Sequence, residues 1–279
     1  MKRMSDPTEH GVAGELARDA QRGAWYAPLG RLLVAVARWV GAVVGPNLAL
    51  IISLAIGMGL VVGLAALAEE VYDAVIEADG LAGLDRPLLD LAVDLRTPVG
   101  DTIVTGYTDL ASSTVMPVIA IIALLTISIR RRSWTPAILI AATGIGSILM
   151  TIVGKGLIGR ARPLLAEAVP PYETSGSFPS GHTLNAVAVV GIIAYLLVLR
   201  RETTRARLLI TAGAAVFSIT IGLSRVYLGH HWFTDVVAAW LLGAAWLALV
   251  ITAHRLYLAL RERERRGSRA TRAAASASR

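Results

Sequence analysis

The sequence predicts an all-α, polytopic membrane protein with six transmembrane helices and a short extracytoplasmic amphipathic helix between the first two. Three observations carry this. The chain has 279 residues, of which 55% are hydrophobic and only 17% charged, and its mean hydropathy is +0.61; soluble domains are not composed this way. Apolar runs recur at a length that crosses a bilayer core, about 20 residues each. Basic residues gather beside alternate runs, where they mark the cytoplasmic side.

The crossings are read at 47–68, 113–129, 136–155, 183–199, 206–225 and 232–256. The second is short, and its polar start allows an extension back through 101–110. Ahead of the first, the apolar stretch 30–45 carries Arg31 and Arg38. It fits either an interfacial helix or a cytoplasmic extension of the first crossing. Between crossings one and two, Leu84, Leu88, Leu91 and Leu95 recur at helical spacing, with Asp85, Asp90 and Asp94 between them. That pattern predicts a short amphipathic helix on the membrane surface. Residues 257–279, rich in Arg, Glu, Ala and Ser, form a basic cytoplasmic tail whose first part continues the last helix and whose end is expected to be disordered. The chain thus divides into an N-terminal cytoplasmic segment, 1–46, a membrane domain, 47–256, and the tail.

Charge orients the bundle. Arg130, Arg131 and Arg132 follow crossing two, and Arg200, Arg201, Arg205 and Arg207 join crossings four and five. Arg261, Arg263, Arg265 and Arg266 follow crossing six, and Lys2, Arg3, Arg18, Arg22, Arg31 and Arg38 precede crossing one. With six crossings all four segments fall on one side, so both termini are expected in the cytoplasm. The acidic stretch 69–109 falls on the other side. The net charge of +7 is then a membrane signature, and no nucleic-acid partner is expected. The absence of cysteine excludes disulfides, thiolate catalysis and cysteine-ligated metals. The first ten residues lack the apolar core of a cleavable signal peptide.

Three polar patches interrupt the apolar chain, all at the expected extracytoplasmic ends: Lys155–Pro163, Phe178–His182 and Ser224–Asp235. Lys155, Arg162 and Arg225 are cations at membrane depth, which are costly unless functional or paired. One alone fits snorkelling to the headgroups; three beside two histidine-bearing patches fit a phosphate clamp. Pro179, Ser180, Gly181 and His182 precede crossing four. A helix start offers free N–H groups and a favourable dipole to an anion. Ser180 suits an N-cap and also a donor to a phosphate oxygen, and Gly181 lets backbone approach an anion. His182 suits a structural hydrogen-bonder or a proton donor to a leaving oxygen. His231 and Asp235, four apart, share a helix face. A carboxylate there fixes the imidazole tautomer and leaves the other nitrogen free to attack phosphorus. His230 lacks this spacing and is secondary. The nearby cations would repel a metal ion, so no metal site is expected.

Lys155–Pro163 matches K-x-x-x-x-x-x-R-P, Pro179–His182 matches P-S-G-H, and Ser224–Asp235 matches S-R-x-x-x-x-x-H-x-x-x-D. In this order, at the ends of crossings three to six, the chain resembles the type 2 phosphatidic acid phosphatase (PAP2) superfamily at every signature position. Soluble vanadium haloperoxidases carry the same signature, but six spans argue against that branch. The resemblance implies metal-independent, cofactor-free hydrolysis of phosphomonoesters or diphosphates through a phosphohistidine. His231 would be the nucleophile, Asp235 its orienting partner and His182 the general acid. Lys155, Arg162, Ser180, Gly181 and Arg225 would hold the phosphoryl oxygens.

The expected function is a lipid phosphate phosphatase in the cell (inner or plasma) membrane with an extracytoplasmic site. Its expected partners are the bilayer and a phosphorylated lipid: a polyprenyl diphosphate, phosphatidic acid or phosphatidylglycerol phosphate. A lipid phosphotransferase would carry the same residues and differ only in acceptor. A catalytically silent binding or transport protein is disfavoured, because a binder needs cations but no nucleophile. The Ala- and Arg-rich composition points to a high-GC bacterial source.

Overall fold

The computed structural model describes residues 27–277. The cationic residues expected to anchor the N-terminus, Lys2 to Arg22, lie outside the described residues. The described residues up to Ser53 and those from Leu54 belong to separate units, and the packing below concerns the second. Among the described residues every regular element is helical.

Helix α1 runs through Ala27–Glu77, so residues 30–45 lie inside it, and it passes the 68 boundary read from the first glutamates. A 3-10 turn, Gly80–Leu84, leads into α2, Asp85–Asp94. Helix α3, Pro98–Thr108, starts where Thr97 Oγ1 accepts from Gly100 N at 3.1 Å, with Pro98 in the first turn; both are standard initiators. Helix α4 is Val115–Arg131 and α5 is Thr135–Ile158. Helix α6, Gly181–Val198, contains a π-turn at Ala186–Val190. Helix α7, Thr204–Tyr227, is capped by Thr203, and α8 runs through Phe233–Ala277.

Five described helices are long and apolar enough to cross a membrane, or six if α3 and α4 form one span bent by 47°. The span read at 113–129 with its extension to 101–110 is that bent pair. Its break has a local cause: the run from Thr108 to Thr114 is short and mostly polar, Ser112 is extended, and its Oγ accepts from Val115 N to restart the helix. Side-chain oxygens that bond nearby backbone compete with helical bonding. The last helix does not stop at 256. Ala, Arg and Glu are strong helix formers, and the end expected to be disordered is helical to Ala277.

Helix α2 departs from the sequence reading in one respect. Asp85 was counted on its polar face, yet it is buried, with Leu89 and Ala92 beside it on the inner side. Leu84, Leu91 and Leu95 are exposed and Leu88 is half-buried, so most of the leucine stripe faces away from the protein.

Helix α6 is the hub. Leu184, Ala186, Ala188 and Ile192 have no exposed surface, and α6 packs on α5, α7 and α8. Small residues set the spacing: a Cβ on Gly191 would lie 2.3 Å from Leu247 Cδ2, and one on Gly146 2.2 Å from Trp246 Cε2. Such close approach drives helix association in lipid, where apolar burial between helices supplies little. The outer surfaces of the spans are apolar instead, with Ile56, Leu60, Val62, Leu149 and Ile152 exposed. The chain is a multi-pass membrane protein, and lipid is the solvent for those faces.

Candidate active site

Four helix ends converge on one cluster. Helix α5 delivers Lys155 in its last turn, α6 opens with Gly181 and His182, α7 closes with Arg225, and α8 opens just before Asp235. The loop 159–180 joins α5 to α6, and 228–232 joins α7 to α8. Gly159, at φ +58°, ends α5, a left-handed cap that glycine adopts freely. Gly229, at φ +69°, turns the chain after α7, and a Cβ there would lie 2.2 Å from Glu167 O.

His231 is almost completely buried. Its Nδ1 lies 3.5 Å from Asp235 Oδ2 and 3.5 Å from Ser177 Oγ. The i,i+4 pair is therefore close, but longer than a direct hydrogen bond. Asp235 Oδ2 instead accepts from Ser177 Oγ at 2.5 Å and Trp232 N at 3.0 Å. The opposite nitrogen, Nε2, lies 3.2 Å from Arg162 Nη1. A guanidinium only donates, so Nε2 accepts and carries no proton. Burial, then Arg162 and Arg225, push the imidazole pKa well below its ordinary value. His231 is thus a neutral ring whose Nε2 lone pair faces the Arg162 guanidinium.

Two of the cations, Arg162 and Arg225, converge on one carboxylate. Arg162 Nη2 donates to Glu173 Oε2 at 2.7 Å, and Arg225 Nη2 donates to Glu173 Oε1. His182 Nδ1 is 3.9 Å and His230 Nδ1 4.0 Å from the same Oε1. Burial alone would push the Glu173 pKa up; the Arg225 and Arg162 guanidiniums outweigh it and hold it at about 2. Lys155 Nζ donates to Ser175 Oγ at 2.9 Å and to Gly176 O at 2.6 Å. Arg225 is almost fully buried, and its Nε has no partner among the described residues.

The remaining expected residues divide by role. Ser180 stands at the helix start without a side-chain cap bond; its Oγ accepts from Thr183 Oγ1 at 2.9 Å, and its N–H donates to Asp235 O at 3.2 Å. Gly181 packs with Thr151, whose Cγ2 would lie 3.0 Å from an added Cβ. His230 is a loop anchor: its Nε2 donates to Val169 O at 2.6 Å. Burial, then Arg225, lower its pKa to about 4. Ser224 Oγ donates to Thr108 Oγ1 at 2.9 Å and fastens α7 to α3.

Sequence reasoning missed four participants. Arg160 occupies an unspecified position between Lys155 and Arg162. Its Nη1 donates to Asp235 Oδ1 at 2.6 Å and Thr234 Oγ1 at 2.7 Å, and its Nη2 to Asp85 Oδ2 at 2.7 Å. Asp85 also accepts from Thr234 N at 2.8 Å and Thr234 Oγ1 at 2.7 Å. The other two are Ser177 and Glu173. None of the four carried a distinguishing signal: Arg160 lies among other cations between Lys155 and Arg162, and Asp85 beside Arg86 among the acids of α2. Among the described residues no three His, Cys, Asp or Glu side chains gather as a metal site.

Comparison with known proteins places this geometry in context. Residues 135–257 match the model of the PAP2 superfamily. The chain is 35% identical over 179 residues to phosphatidylglycerophosphatase B of Bacillus subtilis, covering 63% of this chain and 86% of that protein. It is 31% identical over 108 residues to an undecaprenyl-diphosphatase of Sulfolobus acidocaldarius, covering 37% of this chain and 48% of that one. The crystal structure of a transmembrane PAP2-type phosphatidylglycerolphosphate phosphatase from Bacillus subtilis superposes with a TM-score of 0.61 at 28% identity, over 71% of this chain and 96% of that one.

Proposed function

Because this chain belongs to the PAP2 superfamily, and is with it a membrane lipid phosphatase, we propose that it hydrolyses a lipid phosphomonoester or diphosphate through a phosphohistidine on His231. The observation that carries this reading is the direction of His231: Nδ1 faces Asp235 and Nε2 faces Arg162. Its reactive nitrogen points into the anion-binding space.

In this mechanism Arg162, Arg225 and Lys155 hold the phosphoryl oxygens, assisted by Ser180 and the Gly181 N–H. Stabilising charge on those oxygens is the main catalytic contribution in phosphoryl transfer. His231 Nε2 attacks phosphorus as the bond to the leaving oxygen breaks, and His182 gives that oxygen a proton. Asp235 stabilises the positive ring. Water then attacks the phosphorus, His182 takes its proton, the P–N bond breaks, and phosphate leaves.

We assign the site to the extracytoplasmic side. Each of α5 to α8 carries site residues at one end, while Arg130–Arg132 and Arg200–Arg207 flank the opposite ends of α4 to α7. Such basic loops mark the cytoplasm, with both termini there and residues 47–256 forming the membrane domain. The leucine stripe of α2 would then rest on the outer surface. The substrate enters from the bilayer with its headgroup at the cluster, and the named relatives favour phosphatidylglycerol phosphate or a polyprenyl diphosphate over phosphatidic acid.

The test is phosphate release by purified protein in detergent with EDTA present, from phosphatidylglycerol phosphate, undecaprenyl diphosphate, phosphatidic acid and a soluble sugar phosphate. Release from a lipid, lost in His231→Ala, supports the reading and names the substrate class. Release unchanged in His231→Ala overturns it.

A further inference from the structure

Glu173 has no place in the mechanism above, yet it takes the two arginines that the mechanism needs. Its carboxylate spans Arg162 and Arg225, with His182 and His230 within 4.0 Å. The same loop also engages the other cation: Ser175 and Gly176 accept from Lys155 as well as Arg162. A dianionic phosphate cannot share these cations with a carboxylate without strong like-charge repulsion.

The loop is built for exchange. Its first part is pinned: Arg86 bonds the Glu167 carboxylate, Arg96 bonds Glu167 O, and Val169 N donates to Leu228 O. Its far end is pinned too, Ser177 N donating to Arg160 O and Ser177 Oγ to Asp235. Between these points Tyr172, Thr174 and Ser175 are exposed, and the polar contacts of the segment run to Lys155, Arg162 and Arg225. An anion that takes those cations releases the middle of the loop while its ends stay fixed.

We infer that Glu173 is a resident counter-anion of the phosphoryl cradle, which a substrate must displace, and that this keeps the weaker phosphodiester headgroups off the site at concentrations where phosphomonoesters and diphosphates still bind. The inference rests on the proposed phosphatase reading. Its chemistry is an exchange of anions. A phosphodiester brings one negative charge and two free oxygens, the same as the carboxylate it would replace, and gains little. A phosphomonoester brings up to two charges and three free oxygens, which match three cations. Displacement penalises both ligands equally, so it does not alter their ratio of affinities. It raises both apparent dissociation constants. Bilayer diesters, present in great excess, are then kept off a site that the stronger anion still occupies.

The experiment compares wild type with Glu173→Gln, Glu173→Ala and Glu173→Asp in mixed micelles. The readouts are hydrolysis of a lipid phosphomonoester, inhibition by inorganic phosphate and vanadate, and inhibition by added phosphatidylglycerol, a diester. Removing the carboxylate is expected to lower the phosphate inhibition constant by about tenfold, since more of the protein is binding-competent. Phosphatidylglycerol is expected to inhibit Glu173→Gln at levels that leave wild type unaffected, and Glu173→Asp, which keeps the charge, falls between. Should Gln and Ala fail to fold, the Asp variant alone must show the intermediate shift. Unchanged or raised phosphate inhibition constants overturn the inference, as does a fall in kcat with unchanged phosphate inhibition. Wild-type turnover and its loss in His231→Ala, measured in the same assay, report separately on the phosphatase reading.

Discussion

Arg160 donates to Asp235 at 2.6 Å through one nitrogen and to Asp85 at 2.7 Å through the other. Asp235 is thereby fixed on both oxygens, by Arg160 on Oδ1 and by Ser177 and Trp232 on Oδ2. Asp85, from α2, closes the chain of contacts and balances the cation. Two buried carboxylates around one guanidinium are costly unless all stay paired.

Removing either end of this bridge should therefore loosen Asp235 and with it His231. Arg160→Lys, which cannot span two carboxylates with a planar fork, is expected to lower kcat by about 10²-fold through misplacement alone, with a smaller change in KM. Asp85→Asn is expected to destabilise the fold by about 3 kcal/mol, the usual cost of breaking a buried pair. Steady-state kinetics and thermal unfolding in detergent, with the double variant, check both; additive effects of the two substitutions would show that the residues do not act as a unit.

The nucleophile assignment has a chemical signature. Rapid quenching with labelled substrate should trap an acid-labile phosphoryl group on wild type and none on His231→Ala. Asp235→Asn should retain turnover reduced on the order of 10⁴-fold, as in other imidazole–carboxylate pairs. Labelling of His231→Ala would move the nucleophile elsewhere.

Gly229 is a backbone requirement. Its φ of +69° is unfavourable for alanine by about 1–2 kcal/mol, and the new Cβ would meet Glu167 O at 2.2 Å. Gly229→Ala should lower the melting temperature and displace the loop that carries Glu173. A melting temperature equal to wild type would contradict the turn geometry.

Stability should fall on the acid side, and the window identifies the groups. His230 has its pKa lowered from 6.5 to about 4. Between those values the unfolded chain binds a proton that the folded chain does not. The contribution of the neutral ring is thus complete above pH 6.5 and is lost as pH falls toward 4. Glu173 is depressed from 4.5 to about 2, so its contribution is complete above 4.5 and is lost only between 4.5 and 2. The melting temperature should drop from pH 7 to 4.5, and less steeply in His230→Gln, whose amide still donates to Val169 O. An equal drop in the variant would assign the acid sensitivity to other groups, His231 first.

Much of the molecule was legible in the chain. The length of the apolar runs and the cations beside them are local properties, so the bilayer class, the number of spans and the three polar patches needed no tertiary information. Signature spacing pointed to His231 and Asp235, but they do not share a helix face: His231 lies in the turn before α8, which starts at Phe233, and that turn brings its Nδ1 to 3.5 Å from Asp235. The bend between α3 and α4 was legible in part, as a short span with a polar start. The inward face of α2 was not, because periodicity finds an apolar stripe but does not say whether lipid or protein lies against it.

Only the tertiary structure decided the partners. Arg160 meets Asp85 and Asp235 across 75 residues each way, Ser177 meets Asp235 across 58, and Glu173 meets Arg225 across 52. In the sequence Arg160 reads like any cation near a headgroup, and Glu173 like any acid in a loop. Apolar length and helical period act through neighbours along the chain, whereas a charge in low dielectric is defined by whatever the folded loops bring within hydrogen-bond reach, and no local pattern encodes that distance.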